Sequence, residues 1–386
     1  MRALMTATVP SMIGQFNMNN INILIELGYE VDVASNFNDY SVWSDEKITL
    51  LKDTLNELNV HMYQVDFERS MFKIGNHIKS YKQMKKLMNE RQYDLVHTHT
   101  PISSLITRIA FKHSEIFNKC RMIYTAHGFH FFKGNNPLKN FLFRNIERYG
   151  AKYTDTLITI NKEDYAAANN FKLRKNGTVE YVPGVGINID KISSIQGNKE
   201  ELCKELNIPS DSTLLLSVGE LNDNKNHKVI IQSLPELPSN VHYVICGRGP
   251  LKEQHEQLAK ELHVENRLHL LGYRSDVIKI MKSCDIFVFP SKREGLSVAL
   301  MEAMACGLPC IASRIRGNID LITQGTNSIL CNPNGYMNFV DVIISIDEEI
   351  KDKFSKLNII ESKKYSVKQI SEKMKKMYLK GDIFHD

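Results

Sequence analysis

Two glutamates, Glu294 and Glu302, stand eight positions apart in the stretch SKREGLSVALMEAMACGLP. Carboxylates at such a spacing could form a general acid and base pair, ligate a metal ion, bind sugar hydroxyls, or lie on an ordinary solvated surface. Eight residues of α-helix would place the two side chains about 80° apart around the axis, so the carboxylates need not touch. The spacing therefore does not imply a proton-sharing pair, whereas it is compatible with two separate acceptors for hydroxyl groups.

The residues around this pair predict a strand, a loop and a helix, in that order. The run DIFVFPS indicates the strand and SVALMEAMAC indicates the helix, with KREGL between them. Ser297 suits the N-cap of this helix, and Gly307 suits the left-handed position at which a helix ends. The backbone N–H groups of residues 295–297 would then stand at a helix N-terminus, which is a favourable place for a phosphate.

Strand-like and helix-like segments alternate along both halves of the chain. Predicted strands in the first half include RALMTAT, YEVDVAS, YDLVHTHT, RMIYTAHG and DTLITIN, and the segment VPSMIGQF after the first of them is predicted as a glycine-containing loop. The alternation predicts an α/β fold of two Rossmann-like, doubly wound domains that face an interdomain cleft. We place these domains at residues 1–185 and 186–364, with a basic C-terminal helix at about 365–386 that packs back on the first domain.

Composition and cysteine usage indicate a globular protein of the cytoplasm. Apolar residues make up 42% of the 386 positions and charged residues 24%, which is typical of soluble domains. The start of the chain lacks the long apolar region of a signal peptide, and no stretch approaches the length of a transmembrane helix. Seven scattered cysteines without a CxxC pair favour reduced thiols over a disulfide framework or a zinc site.

Positive charge is concentrated in residues 69–152, which hold 16 Lys and Arg residues against 4 Asp and Glu residues. Such an excess indicates an anionic membrane surface, a pyrophosphate-bearing acceptor or nucleic acid as partner, or simply a solvated basic face. Aromatic residues that alternate with these cations could form a peripheral membrane site or belong to the core; they are Phe129, Phe131, Phe132, Phe141 and Phe143. No nucleic-acid-binding motif accompanies them, so we expect no nucleic-acid partner.

The glutamate pair in its setting resembles the EX7E region of family 4 retaining glycosyltransferases, which are two-domain enzymes of the GT-B fold with nucleotide-sugar donors. The flanking residues strengthen the resemblance, because Pro-Ser precedes Glu294-Gly295 and the run GLPCIAS follows the helix. Further segments that resemble the family cover nearly the whole chain: SVGELNDNKNH, VICGRGPL, RLHLLGYRSDV, DLVHTHTP, YTAHGFHF and VPGVGINID. The opening segment GQFNMNNINILIELGYEVDVAS resembles members that act in polysaccharide synthesis.

The resemblance implies a role for each matching residue. Glu294 would bind hydroxyls of the transferred sugar, and Glu302 would bind the ribose hydroxyls of the nucleotide. Lys225 would hold the donor pyrophosphate, for which a mobile ammonium is well suited. His127 would contact the primary hydroxyl end of the sugar, and Gly14, in the loop after the first strand, would let the backbone approach the diphosphate closely. The predicted catalytic residues are Glu294, His127 and Lys225, and the predicted donor-binding residues are Gly14, Gly219, Lys225, Asn226, Gly247, Tyr273, Arg274, Gly295, Leu296, Ser297 and Glu302.

One position departs from the pattern of the family. Glu220 stands where family members usually carry an arginine that helps to bind the pyrophosphate. Either the Glu220 side chain points away and serves the structure, or another cation such as Arg248 or Arg293 compensates for the missing arginine.

The resemblance implies a retaining transferase that moves a hexose or N-acetylhexosamine from a nucleotide sugar, presumed to be a UDP-sugar, to a lipid-linked saccharide of a capsule or exopolysaccharide. We expect no obligatory metal, because no Asp-x-Asp stands where metal-dependent sugar transferases bind Mg²⁺. His97 and His99 could suggest a second kind of metal site, but alternation along a strand explains their spacing. We expect the protein to be cytoplasmic, and peripheral attachment to the inner face of the plasma membrane is a second expected location. The alternatives are a nucleotide-sugar epimerase or hydrolase of the same fold, and a catalytically silent nucleotide-sugar-binding scaffold.

Overall fold

The structure is a computed structural model that describes residues 1–380. It divides into two compact units, the first formed by residues 1–185 together with residues 370–380, and the second by residues 186–369. The part of the predicted C-terminal helix that falls on 381–386 lies outside the described residues. None of the helices within residues 1–380 has the length and apolar character that are needed to cross a bilayer.

The first unit contains a parallel sheet in the order β3-β2-β1-β4-β5-β6-β7. Its strands are β1 (Arg2–Thr6), β2 (Glu30–Ser35), β3 (His61–Gln64), β4 (Leu95–His99), β5 (Arg121–Ala126), β6 (Thr156–Thr159) and β7 (Thr178–Tyr181). Its helices up to the end of this sheet are α1 (Pro10–Phe16), α2 (Met18–Glu26), α3 (Asp45–Glu57), α4 (Ile74–Arg91), α5 (Pro101–Lys112), α6 (Pro137–Ala151) and α7 (Lys162–Ala168). The central strands are buried on both faces, which explains why they read as nearly continuous apolar runs.

The second unit contains a parallel sheet in the order β10-β9-β8-β11-β12-β13. Its strands are β8 (Thr213–Val218), β9 (Val241–Cys246), β10 (Leu268–Gly272), β11 (Ile286–Phe289), β12 (Cys310–Ser313) and β13 (Ile329–Cys331). Its helices are α8 (Ile189–Ser194), α9 (Lys199–Leu206), α10 (Lys228–Ser233), α11 (Lys252–Glu261), α12 (Val277–Met281), α13 (Val298–Ala305), α14 (Asn318–Leu321), α15 (Tyr336–Ser345) and α16 (Glu348–Ser362). The strand order reverses between β8 and β11, and ligands of doubly wound sheets bind beside such a switch point, at the carboxyl ends of the strands.

The last described helix is α17 (Val367–Leu379), which begins two residues after the predicted start of the C-terminal helix. Its buried residues Ile370, Met374 and Met377 join the apolar core of the first unit. Arg121 on β5 donates from Nη1 to the carbonyl of Met377 at 2.6 Å, which fixes the end of α17 against the sheet.

The prediction of a loop for VPSMIGQF was wrong, because these residues form α1. Pro10 stands at the first position of this helix, where its fixed φ and missing N–H are tolerated. Gly14 therefore lies inside a helix, and a Cβ there would come within 2.3 Å of the Trp43 Cη2 atom. The glycine makes room for the indole ring of Trp43, and this packing is sufficient to explain why a glycine stands at position 14.

The prediction also omitted α3 and β3. The strand β3 lies at the edge of the first sheet, and its four residues HMYQ are exposed or only half-buried. An edge strand of this length has no apolar run, so the sequence carries little signal for it. The helix α3 does have a buried stripe, formed by Ile48, Leu51 and Leu55, whose spacing is helical.

Candidate active site

The loops that follow β8 and β11 carry six of the residues predicted to bind the donor, namely Gly219, Lys225, Asn226, Gly295, Leu296 and Ser297. The two strands are neighbours in the second sheet and run parallel, so both loops leave its carboxyl edge at the switch point. This topology brings together Lys225 from the first loop and Glu294 from the second, although 69 positions separate them in the chain.

Lys225 and Glu294 form an ion pair at this edge. The distance from Lys225 Nζ to Glu294 Oε1 is 2.8 Å, and the two side chains are only 20% and 14% exposed. The ammonium also lies 4.8 Å from the ring centroid of Phe289, the last residue of β11. A cation held between a carboxylate and an aromatic face is partly desolvated, so it would interact strongly with an anionic ligand.

Several hydrogen bonds hold the two loops together. Asn224 donates from its side chain to the carbonyl of Arg293 at 3.0 Å. Asn226, with φ of +57°, donates from Nδ2 to the carbonyls of Pro290 and Pro333 at 3.0 and 2.9 Å. The positions of Lys225 and Glu294 therefore follow from a rigid pair of loops, and the Asn226 amide that we predicted to bind the donor is itself part of this scaffold.

Two glycines allow the loop ends to approach each other. The Gly219 N–H donates to the Cys246 carbonyl at 3.0 Å, and a Cβ on Gly219 would meet the Lys225 side chain at 3.1 Å. A Cβ on Gly247 would lie 1.8 Å from the Gly219 carbonyl oxygen, closer than any real contact. The predicted donor-binding residues Gly219, Lys225 and Gly247 are thus close neighbours, and backbone packing requires a glycine at position 247.

We expect Gly247→Ala to lower the free energy of unfolding of the second unit by roughly 3 kcal/mol, because backbone must move to admit the methyl group. Thermal or urea unfolding of the full chain measures this loss. Gly75→Ala is the control, since no atom lies within 4 Å of a Cβ there and alanine suits its place in α4. Equal stability of the two variants would contradict the packing role of Gly247.

The Glu220 carboxylate has a local structural contact, which is one part of the first predicted alternative. Its Oε2 accepts a hydrogen bond of 2.9 Å from the Asn222 side chain, and Asn222 Oδ1 in turn accepts from the Lys225 backbone N–H at 2.9 Å. The acid therefore supports the turn that presents Lys225. The predicted compensating cation Arg248 is exposed beside this turn.

The helix after Glu294 is built as the sequence predicts. α13 has Ser297 as its N-cap, whose Oγ accepts from the Leu300 N–H at 3.3 Å, and Gly307 ends it with φ of +78°. Within residues 1–380 the backbone N–H groups of Leu296 and Ser297 have no hydrogen-bond acceptor. These groups and the helix N-terminus form a feature that can bind a phosphate oxygen.

Glu302, in the second turn of α13, has a raised pKa. Burial raises the pKa of its carboxyl from the ordinary 4.5 to about 7. No side chain or backbone group in the described part of the chain donates a hydrogen bond to it. Glu302 is half-buried, and its carboxylate is partly desolvated without a protein donor. Hydroxyl groups of a ligand could supply hydrogen bonds to it.

The raised pKa of Glu302 predicts a pH-dependent effect of Glu302→Gln. Between pH 4.5 and about 7 the unfolded chain loses this proton first, so ionisation of Glu302 lowers the stability of the wild type as the pH rises. The stability of the variant relative to the wild type should therefore increase by roughly 3 kcal/mol from pH 4.5 to pH 7.5 and then level off. Urea unfolding across this pH range measures the difference. The exposed Glu265→Gln is the control, and parallel curves for Glu302→Gln and the wild type would contradict the prediction.

The residues predicted to meet the nucleotide base lie after β10. Tyr273 is 59% exposed. Arg274 is held by two carboxylates, donating to Asp276 at 2.7 and 2.8 Å and pairing with Glu205, and these partners raise the pKa of its guanidinium. The guanidinium of Arg274 is thus already committed to structural ion pairs, while contact of either residue with a base remains a prediction.

In the first unit, His127 lines a small pocket together with Phe16, Asn17 and His99. His127 Nε2 lies 3.1 Å from His99 Nδ1, and His99 Nε2 lies 3.1 Å from Met5 Sδ. A thioether can only accept, so His99 carries its proton on Nε2 and accepts on Nδ1 from His127. His127 is therefore the Nε2–H tautomer, and its Nδ1 is left as an acceptor. Burial lowers the pKa of His127 to about 4, which keeps this ring neutral near pH 7.

The neighbouring His97 is held by hydrogen bonds on both ring nitrogens. Its Nδ1 lies 2.8 Å from the hydroxyl of Tyr378 on α17, and its Nε2 lies 2.8 Å from Thr125 Oγ1. Both ring nitrogens of His99 are engaged as well. All four ring nitrogens of His97 and His99 therefore already have protein partners. Among the described residues, Glu30, Asp32 and His61 come close enough to share an ion, but Arg2 and Arg91 already pair with these acids.

Sequence reasoning missed several residues that shape the site. Phe289 and Asn222 contact or orient Lys225, and Met5 decides the tautomer of His127 through His99. Arg316 donates to the Glu294 carbonyl at 3.4 Å from a buried position. The one available signal is that Phe289 and Asn222 stand at or just after strand ends, where ligand-binding residues of such sheets gather.

Two family models match the chain. The model described as glycosyl transferases group 1 matches residues 198–379, and the model described as glycosyl transferase 4-like matches residues 15–161. EpsD of Bacillus subtilis, named as a glycosyltransferase, is 31% identical over 334 residues, which cover 85% of this chain and 83% of EpsD. The UDP-Gal:alpha-D-GlcNAc-diphosphoundecaprenol alpha-1,3-galactosyltransferase of Escherichia coli is 29% identical over 280 residues, which cover 70% of this chain and 71% of that enzyme.

Solved structures share the fold over nearly the whole chain. HepE of Anabaena, in complex with UDP and glucose, matches with a TM-score of 0.76 at 17% identity and covers 98% of this chain and 100% of its own. Sucrose-phosphate synthase of Thermosynechococcus elongatus matches with a TM-score of 0.78 at 16% identity and covers 98% and 99%. The two parallel sheets, the motifs and the matched models agree, and the chain therefore belongs to the family 4 glycosyltransferases, which are enzymes of the GT-B fold.

Proposed function

We propose that this glycosyltransferase is a retaining enzyme that transfers a hexose or N-acetylhexosamine from a UDP-sugar to a lipid-linked saccharide, in the synthesis of a capsule or exopolysaccharide. The observation that carries the proposal is the Lys225–Glu294 pair, 2.8 Å apart, together with the open N–H groups at the start of α13. A cation and helix amides suit a diphosphate, and a carboxylate beside them suits sugar hydroxyls. Glu302, which lacks donors, suits the ribose hydroxyls.

The proposed reaction needs no nucleophile from the protein. The acceptor hydroxyl attacks the anomeric carbon from the face that the diphosphate leaves, and its proton passes to an oxygen of that diphosphate. The bond between the anomeric carbon and the diphosphate breaks, and UDP departs. Lys225 and the amides of Leu296 and Ser297 stabilise the charge that develops on the leaving group, which is the kind of term that often dominates catalysis. Because these groups supply positive charge, we propose that no metal is obligatory.

The names of the relatives support the donor and the acceptor. The Escherichia coli relative takes galactose from UDP-Gal to a saccharide on diphosphoundecaprenol. A Campylobacter jejuni relative, 23% identical over 333 residues, is an N-acetylgalactosaminyltransferase that acts on another diphosphoundecaprenol-linked sugar. A lipid-linked acceptor would place the enzyme at the inner face of the plasma membrane.

The test is release of UDP from a panel of UDP-sugars, with and without lipid-linked acceptors extracted from membranes. The proposal expects UDP release that depends on acceptor, an α-linked product from an α-linked donor, and an unchanged rate in EDTA. Equal consumption of donor without acceptor would favour the epimerase or hydrolase alternative. UDP-sugar binding without turnover on any acceptor would favour the silent scaffold.

A further inference from the structure

The aromatic and basic segment of the first unit resolves into a buried part and an exposed part. Phe129 and Phe131 are 1% and 2% exposed and stack at 4.8 Å, so they belong to the core. On α6, in contrast, Leu138, Phe141 and Leu142 are 77%, 70% and 50% exposed. The spacing of these three residues is i, i+3 and i+4, which defines one apolar stripe of the helix that faces solvent.

A second exposed apolar group lies at the start of α4. Phe72 is 93% exposed, Ile74 67% and Ile78 52%. Like α6, this helix follows a strand of the parallel sheet, so both helices begin at the carboxyl edge of that sheet. The helix α5 packs against both α4 and α6, so the three helices form one layer and the two apolar groups lie on the same side of the unit. Patches of this kind, separated by one helix, indicate a shared interaction surface.

Cations surround the two apolar groups. Lys139 and Arg148 flank the stripe on α6, Lys133 precedes it, and Lys82 lies on α4, all exposed and without a carboxylate partner in residues 1–380. Of the other lysines at the start of α4, Lys73 and Lys79 pair with Glu68 and Asp66. Cores of protein interfaces are depleted in lysine, whereas apolar side chains flanked by Lys and Arg are typical of helices that lie on anionic lipid.

We infer that the starts of α4 and α6 form a docking surface for an anionic lipid bilayer. The apolar groups insert among the lipid headgroups, and the unpaired cations bind the anionic phosphates beside them. The inference rests on the proposed function in one respect, since an acceptor carried on a lipid must be met at a membrane. His127 follows directly on β5 at this same edge of the sheet, so docking here would bring its pocket towards the membrane.

The test is sedimentation of the full chain with vesicles of phosphatidylcholine, alone or with about 30% phosphatidylglycerol. We expect binding to the anionic vesicles that weakens with salt, and a loss of about tenfold or more in affinity for Phe72→Ser/Phe141→Ser. Ile344→Ser/Ile360→Ser is the matched control, because these residues are 59% and 56% exposed on the second unit. We expect Lys139→Glu/Arg148→Glu to remove the preference for phosphatidylglycerol.

Several results would overturn the inference. The first is failure of the wild type to bind vesicles, which would leave a protein as the partner of this face. The second is an equal loss of vesicle affinity in the test and control pairs of substitutions. The third is equal binding to neutral and anionic vesicles. Thermal unfolding and UDP binding show that the variants are folded. Vesicle binding is measured apart from transfer, so a chain that binds anionic vesicles but transfers no sugar would support the docking surface and contradict the proposed function.

Discussion

Replacing Lys225 by methionine is expected to lower the rate constant of sugar transfer at saturating donor by several hundredfold to about a thousandfold. The ammonium sits 2.8 Å from Glu294 and 4.8 Å from the ring centroid of Phe289, where it is shielded from water and can act on the leaving diphosphate. Methionine keeps the length and the apolar contacts of the side chain, so the loss reports the charge. Release of UDP in the presence of acceptor measures the rate.

The control for this prediction is Lys228→Met, three positions further along. Lys228 is exposed and stands at the start of α10, and no described carboxylate pairs with it. We expect its rate to stay within about threefold of the wild type, as is usual for a surface substitution. If Lys225→Met were as active as Lys228→Met, Lys225 would have no part in the transition state.

Glu294→Ala is expected to lower kcat/KM by about a thousandfold. The substitution removes the carboxylate that we propose as an acceptor of sugar hydroxyls, worth roughly 1.5 to 3 kcal/mol for each hydrogen bond. It also leaves Lys225 without its partner in a position that is mostly shielded from water. Steady-state kinetics with the preferred UDP-sugar measure the effect, and Lys292→Ala in the same loop, an exposed residue, is the control. Intact turnover in Glu294→Ala would show that the site is assigned wrongly.

The double variant Lys225→Met/Glu294→Ala tests whether the pair acts as a unit. Residues in direct contact deviate from additivity, typically by 0.5 to about 3 kcal/mol. We expect the double variant to lose less than the sum of the single losses, because the second substitution removes a charge that the first one left unpaired. Additive losses would indicate that the two side chains bind separate parts of the donor without depending on each other.

The part of the site that lies close together in the chain could be predicted from sequence. Ser297 and Gly307 bound α13 as expected, because capping depends on local backbone geometry and on side chains within three residues. The loop assignment of Gly14 failed because Pro10 begins a helix here, and because Gly14 makes room for Trp43, which is 29 positions away.

The aromatic segment shows the same limit. Phe129 and Phe141 have the same residue type and similar neighbours in the sequence, yet one is 1% and the other 70% exposed. The difference in exposure depends on whether the side chain points towards the sheet or towards solvent, and this orientation is set only when the helices pack on the sheet. The sequence left core and membrane as equal alternatives, and the structure divides these residues into a buried group and an exposed group.

The sequence by itself determined the two α/β units, the family and the helix that follows Glu294, because strand alternation, caps and motifs are written in short stretches of chain. Only the tertiary structure decided that Lys225 pairs with Glu294 across 69 positions and that Met5 sets the tautomer of the histidines. It also decided the pKa of Glu302, which rises to about 7 because packing removes water from a carboxylate that would be ordinary on the surface. Contacts and desolvation arise when distant segments pack, so spacing along the chain carries no direct signal for them.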